Sequence, residues 1–284
     1  MKKSQASLTS EGIAIARVLE FEKPEEERIC NDPYAMQFIS PVFYILGKLF
    51  AGYGERRGPG VIGFLVARCR YIDDYLKQCL DSGIQQLVIM GAGLDSRAYR
   101  FEKLKGNVKV FEVDHPATQM VKMKKLRKIF GTIPRHVTYV PIDFNEETLQ
   151  KLFDFGYHRE LKTLFIWEGV VHYLTAQAVD QTLEFVVKNS VSGSKIIFDY
   201  LFASELNTAQ KRGEILRMQR VRRFTGEGLT FGIEEGQVEK FLLERGFIQI
   251  QNVSNVDLKN AYFTGANQAR AVASIYAIVH ASVK

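Results

Sequence analysis

The stretch 86–100 constrains this chain most: Gln86 to Met90 suit a buried strand, which empties into Gly91-Ala92-Gly93 and is followed by helix-forming residues up to Arg100. The glycines let the backbone turn sharply and approach a ligand closely, and the next helix begins with free N–H groups facing that ligand. A second apolar run, 108–113, carries Glu112 and is closed by Asp114. Asp114 lies roughly 20 positions past the first glycine, the spacing expected of a carboxylate that accepts hydrogen bonds from two ribose hydroxyls. Gly91, Gly93 and Asp114 are therefore candidate cofactor contacts, with a structural turn and a surface carboxylate as the plain alternatives.

The position of the third glycine separates possible ligands. A pyrophosphate binder wants glycine where this chain has Ser96, and Asp95 stands just before it. A carboxylate at the mouth of the turn repels phosphate and suits a cofactor that is cationic at its reactive end. S-adenosyl-L-methionine has a sulfonium, an ammonium and no phosphate, so it is expected ahead of NAD, and Asp95 joins the cofactor candidates.

After Gly83, β-rich runs at 86–90, 108–113, 137–142, 163–167 and 195–200 alternate with helical stretches, the pattern of a parallel sheet wrapped by helices. Two more runs follow at 247–253 and 271–280, giving by analogy a Rossmann-like α/β sheet of seven strands, the class I methyltransferase plan. One domain over 1–284 is expected, with a helical N-terminal extension or lid (1–82), a cofactor-binding core (83–203), a helical lid insertion (204–232) and C-terminal strands (233–284). Ser10 is a plausible cap for a helix over 11–21.

Composition narrows the class further. The 284 residues are 46% hydrophobic and 25% charged, an ordinary globular balance. Cys30, Cys69 and Cys79 form no Cys-x-x-Cys pair, and the five histidines are scattered, so neither a disulfide framework nor a metal site is expected. Residues 4–10 are polar where a signal peptide would be apolar, which points to a cytoplasmic protein. The longest apolar stretch, 38–50, holds Pro41, Gly47 and Lys48 and is too short to span a bilayer. It reads as a buried or lid helix, with contact to a lipid surface or a greasy substrate as the alternative. The net charge of +6 includes clusters at Lys122, Lys124, Lys125, Arg127 and Lys128 and at Lys211, Arg212, Arg217, Arg220, Arg222 and Arg223. Both read as solvated helix faces without interleaved aromatics, which argues against nucleic acid as a partner.

Two further carboxylates and two arginines carry the chemistry. Asp143 closes the third strand before Phe144, at the place where the methyltransferase class named by analogy usually sets an acceptor for the adenine amino group with an apolar neighbour against the ring, or else it caps the next helix. Glu168 follows the buried run 163–167, where an ion needs a partner: the cofactor's ammonium or sulfonium, or a salt bridge to Arg68, Arg70 or Arg97. Arg68 and Arg70 lie in a helical stretch before the first strand, where an arginine fork clamps a carboxylate, or pairs internally with Asp73 or Asp74.

With these residues in view, the chain resembles the leucine carboxyl methyltransferase family, more closely its bacterial and archaeal S-adenosylmethionine-dependent branch. The resemblance is carried by 31–34, by Ala67 to Arg70, by Gly91 to Arg97, by Phe111 to Asp114, by Glu168-Gly169 with Tyr173-Leu174, by 229–232 and by 244–247. It implies that Arg68 holds the cofactor carboxylate, Gly91 and Gly93 line the cofactor, Asp114 takes the ribose, Asp143 and Phe144 the adenine, and Glu168 lies by the amino acid end. Cys69 stands where Thr is frequent in the family, a departure that touches packing.

Methyl transfer from a sulfonium is an in-line displacement, so alignment is the protein's main task. A carboxylate acceptor needs only a positive or hydrogen-bonding seat, for which Arg97, Arg220 or Arg223 are candidates; Arg97 is also counted among the cofactor contacts. A hydroxyl acceptor needs a base, and His172 or Tyr173 beside Glu168 are the nearest. The expected activity is an O-methyltransferase acting on a carboxylate or hydroxyl of a small molecule or peptide. The competing readings are a NAD-type oxidoreductase and a non-catalytic binding protein.

Overall fold

The structure, a computed structural model, describes residues 6–206 and 228–284. Four helices come first: α1 (Ala6–Phe21), α2 (Ala35–Phe38), α3 (Pro41–Arg57) and α4 (Val61–Asp81). Strands and helices then alternate as β1 (Gln86–Met90), α5 (Arg97–Arg100), β2 (Lys109–Asp114), α6 (Pro116–Phe130), β3 (Val137–Pro141), β4 (Thr163–Trp167), α7 (Ala176–Lys188) and β5 (Lys195–Leu201). The chain closes with α8 (Val238–Leu243), β6 (Phe247–Val253), α9 (Asn255–Tyr262) and β7 (Tyr276–Val283).

The seven strands form one sheet in the order β3-β2-β1-β4-β5-β7-β6. β1 to β5 run parallel, and β7 inserts antiparallel between β5 and β6. Strand order reverses between β1 and β4, the place where open α/β sheets take ligands beyond their carboxyl ends. Strand periodicity builds the core on both faces. Leu87 and Ile89 of β1 pack with Phe64, Ile72 and Leu76 of α4, whereas Val88 and Met90 pack with Phe165, Trp167 and the α7 residues Val179, Leu183 and Val186.

Four expectations are corrected. The first helix starts at Ala6, so Ser10 lies inside it rather than capping it. The last strand spans 276–283 and not 271–280, because residues 271–273 are spent on α4: Ala273 N–H donates to Gly60 O at 2.9 Å, and a Cβ on Gly63 would sit 2.0 Å from Ala271 O. The stretch 38–50 falls largely in α3, whose outer face is exposed rather than buried. Of the first basic cluster, Lys122 is buried in an ion pair with Glu112 at 2.8 Å, while Lys124, Arg127 and Lys128 face solvent. The second basic cluster, and most of the helical insertion expected at 204–232, lie outside the described residues.

Candidate active site

Beyond the carboxyl ends of β1 to β4 lies a cavity of about 490 Å³, within the size range of small-ligand sites. Its floor is the turn after β1. Gly91 has φ +65°, and a Cβ there would lie 2.2 Å from Val170 Cγ2, so glycine is required both by conformation and by the close approach of the turn after β4. Gly93, also at positive φ, donates its N–H to Asp114 Oδ2, and Asp114 Oδ1 accepts from His115 N–H at 2.7 Å. Burial pushes the Asp114 carboxyl up to about 6 despite these two donors. Asp114 ends β2 opposite Pro141, directly on the cavity rim.

Asp143 and Phe144 line the same rim, next to Ile142. Asp143 also organises its own turn: Oδ1 accepts from Asn145 N–H at 3.1 Å, and its N–H donates to Glu147 Oε2 at 3.0 Å. The capping alternative is not realised, because a turn follows Asp143 and the next helical segment begins only at Leu149, after Thr148; Asp143 nevertheless lines the cavity.

The inner wall is an ion-pair network. Glu168 accepts from Arg68 Nε at 3.0 Å and from an Arg97 Nη at 2.5 Å. Burial opposes its charge, but Arg97, Arg68 and Arg17 more than offset that, and the carboxyl is held well below its ordinary range. Arg68 also donates to Asp199 at 2.6 Å; burial opposes its charge too, and Asp199 and Glu168 raise its pKa regardless. Asp95 accepts from the backbone N–H and the guanidinium of Arg97. Asp95, Glu168 and Arg68 all line the cavity. Of the two readings of Glu168, the salt bridge is realised, to Arg68 and Arg97 and not to Arg70, and the residue also lines the cavity.

Some expected residues are placed elsewhere. Arg97 has no exposed surface and does not line the cavity; it serves Asp73, Asp95 and Glu168 from behind the wall. Arg70 pairs with Asp74 at helical spacing, bonds Ile29 O and does not line the cavity. His172 is buried off the cavity with Nδ1 unpartnered, and burial lowers its pKa to about 4. Tyr173 lines the cavity. Arg220 and Arg223 lie outside the described residues.

Two contributors escaped the sequence reading. Arg17 of α1 lines the cavity, donating to Leu94 O at 2.9 Å and standing 3.5 Å from Asp32. A lone arginine amid the apolar residues of 13–18 was the available signal. Asp199, wholly buried in β5, accepts from Arg68 and, at 2.6 Å, from Gly169 N–H, so it positions both the arginine and the turn that bears Glu168. An aspartate inside the apolar run 196–201 was its signal.

The order of groups along the cavity fits S-adenosyl-L-methionine. It runs from the Asp143 carboxylate with its aromatic neighbour Phe144, past the Asp114 carboxylate, to a wall of mixed carboxylates and arginine whose charges complement an ammonium and a carboxylate. The fold is that of the class I S-adenosylmethionine-dependent methyltransferases. Residues 10–187 match the family model of the leucine carboxyl methyltransferases, and the chain belongs to that family. The Bacillus subtilis protein YktD, described as an S-adenosyl-L-methionine-dependent methyltransferase, is 30% identical over 220 residues, 77% of this chain and 72% of its own. A Mycobacterium tuberculosis protein with the same description is 29% identical over 261 residues, 84% of this chain and 82% of its own. Among solved structures, the carbon methyltransferase CurJ superposes with a TM-score of 0.50 at 15% identity, covering 99% of this chain and 70% of that one, a likeness of fold.

Proposed function

We propose that this methyltransferase transfers a methyl group to oxygen, and to a carboxylate of a small molecule or peptide before a hydroxyl. S-adenosyl-L-methionine is the cofactor, and when bound it supplies an electrophilic methyl on a sulfonium. Asp114 takes the ribose hydroxyls, Asp143 and Phe144 take the adenine, and Arg68 takes the cofactor carboxylate, its two ion pairs using two of five N–H donors. Asp95 and Glu168 face the cationic end. Arg97 keeps both of them ionised and in place without itself touching the ligand.

The observation that carries the reading is the inner wall, where the Asp95 and Glu168 carboxylates reach the cavity beside a glycine turn, held there by the buried Arg97. It favours a cation there and disfavours a pyrophosphate, so a nicotinamide oxidoreductase is not supported. A non-catalytic binder gains nothing from any feature of the site. A carboxylate acceptor is preferred because it arrives already anionic and needs no base, whereas His172 is off the cavity and, with its pKa lowered to about 4, a weak base, which leaves Tyr173 on the cavity wall as the base a hydroxyl would have to use. Arg17 offers the positive seat that Arg97 was expected to give. The whole chain works as one unit on this proposal: α1 covers the cavity through Ile13 and Arg17, and Gly228 and Thr230 cover it from the other side.

The test is label transfer from S-adenosyl-L-methionine with a tritiated methyl to a panel of carboxylic acids and alcohols. A carboxyl methyl ester releases its label as methanol in alkali, and an ether does not. Label that survives alkali would move the reaction to a hydroxyl; failure of the pure protein to bind S-adenosylhomocysteine would remove the cofactor reading itself.

A further inference from the structure

Lys122 of α6 lies behind the cofactor cavity and not on its wall, with 1% of its surface exposed. Its ammonium stands 2.8 Å from Glu112 of β2 and 5.4 Å from the centre of the Tyr99 ring, and it donates to Ala92 O at 3.3 Å. The pair with Glu112 does not by itself account for a lysine here, because a buried ion pair gains little over apolar side chains of similar size. The bond to Ala92 gives it a use. Ala92 is the middle of the glycine turn: its N–H donates to Val113 O at 3.0 Å, and its O also accepts from Asp95 N–H at 2.8 Å. The next N–H along the chain, that of Gly93, donates to Asp114 Oδ2. Ala92 C=O and Gly93 N–H belong to one planar trans peptide and point in opposite directions, so whatever fixes the first also aims the second. Glycines at positive φ on either side, +65° at Gly91 and +40° at Gly93, leave that peptide free to rotate unless it is bonded.

We propose that Lys122 is a positioning residue for the cofactor: its bond to Ala92 O holds the 92–93 peptide so that Gly93 N–H meets Asp114, and Asp114 is thereby kept on the rim in the orientation that takes the ribose. The role rests on the cofactor placement proposed above and adds to it a residue that does not touch the ligand. The Asp95 N–H restrains Ala92 O only from within the same turn, whereas Lys122 ties it to a separate element. That element is itself part of the site, since Thr118, one helical turn before Lys122, lines the cavity.

Calorimetry with S-adenosylhomocysteine and thermal melts test it on the full chain, comparing wild type with Lys122→Met/Glu112→Leu and with Lys122→Arg. The double variant removes both charges and the donor together; it should melt near wild type and yet bind about tenfold more weakly. Lys122→Arg keeps a cation and a donor but overpacks the core, so it should melt below the double variant and still bind within about threefold of wild type. Stability and affinity then rank the two variants in opposite orders, which a lysine serving the fold alone does not produce. Wild-type affinity in a folded double variant overturns the role of Lys122 and leaves the cofactor placement standing. Loss of folding in the double variant overturns it as well, by assigning Lys122 to the core. Failure of the wild type to bind S-adenosylhomocysteine is distinct from both, because it overturns the placement and the role together.

Discussion

At Arg97 one guanidinium meets three carboxylates, Asp73, Asp95 and Glu168, with no water-exposed surface to screen them. Removing it leaves buried charges unpaired, so Arg97→Leu should cost about 3–5 kcal/mol of stability, read by denaturant melts. Asp114 behaves oppositely: it is a ligand group on the rim, and Asp114→Ala should weaken S-adenosylhomocysteine binding by about 1–3 kcal/mol in calorimetry while leaving the melt largely unchanged. Its pH dependence has two signs. The folded carboxyl, near 6, lies above its ordinary 3.8, so the ligand-free protein takes up a proton that the unfolded chain does not and gains stability as pH falls through 6. Cofactor binding, which needs the carboxylate, should weaken over that same interval. Asp199→Ala should raise KM for the cofactor well beyond any change in kcat, because Arg68 loses its second carboxylate; Asp199→Asn, which keeps an acceptor for Gly169, should recover much of it.

At the scale of elements, the Lys122–Glu112 pair bolts α6 to β2 inside the core. Burial lifts the Glu112 carboxyl to about 7 against the pull of Lys122, which marks a pair whose desolvation is barely offset. Lys122→Met alone should destabilise by about 3–5 kcal/mol, whereas the double change with Glu112→Leu should recover most of that loss. Periodicity made α6 legible, with Leu126 inward and Lys124 and Lys128 outward, but it did not reveal that Lys122 turns in. The choice depends on Glu112 arriving from β2, a partner at a sequence distance that no helical pattern encodes. The start of β7 was missed for a related reason. Residues 271–275 have strand composition, yet glycines at 60 and 63 open a niche on α4 that captures them first.

For the whole molecule, ligand linkage offers a direct test. S-adenosylhomocysteine at about 100 times its Kd should add about 2.7 kcal/mol, a rise of several degrees in Tm, and NADH at the same concentration should add nothing. A single cooperative transition is expected, since one core joins α1 and α4 to β1, β2, β4 and β5. Beside the analogy on which the seven-stranded plan rested, the order of apolar runs and breakers in the chain placed the strand segments, the glycine turn and the carboxylates at or just past the ends of β2, β3 and β4, and hence the class of ligand. Those features are local, because strand, turn and following residue are neighbours in sequence. Only the tertiary structure decided which arginine reaches the cavity and which stands behind it, that Arg17 and Asp199 complete the wall, and which side of α3 meets solvent. Each of those outcomes is set by long-range packing: a buried charge settles wherever distant elements bring its partner, and a helix apolar on both sides turns inward the side on which Gly47 permits closest approach.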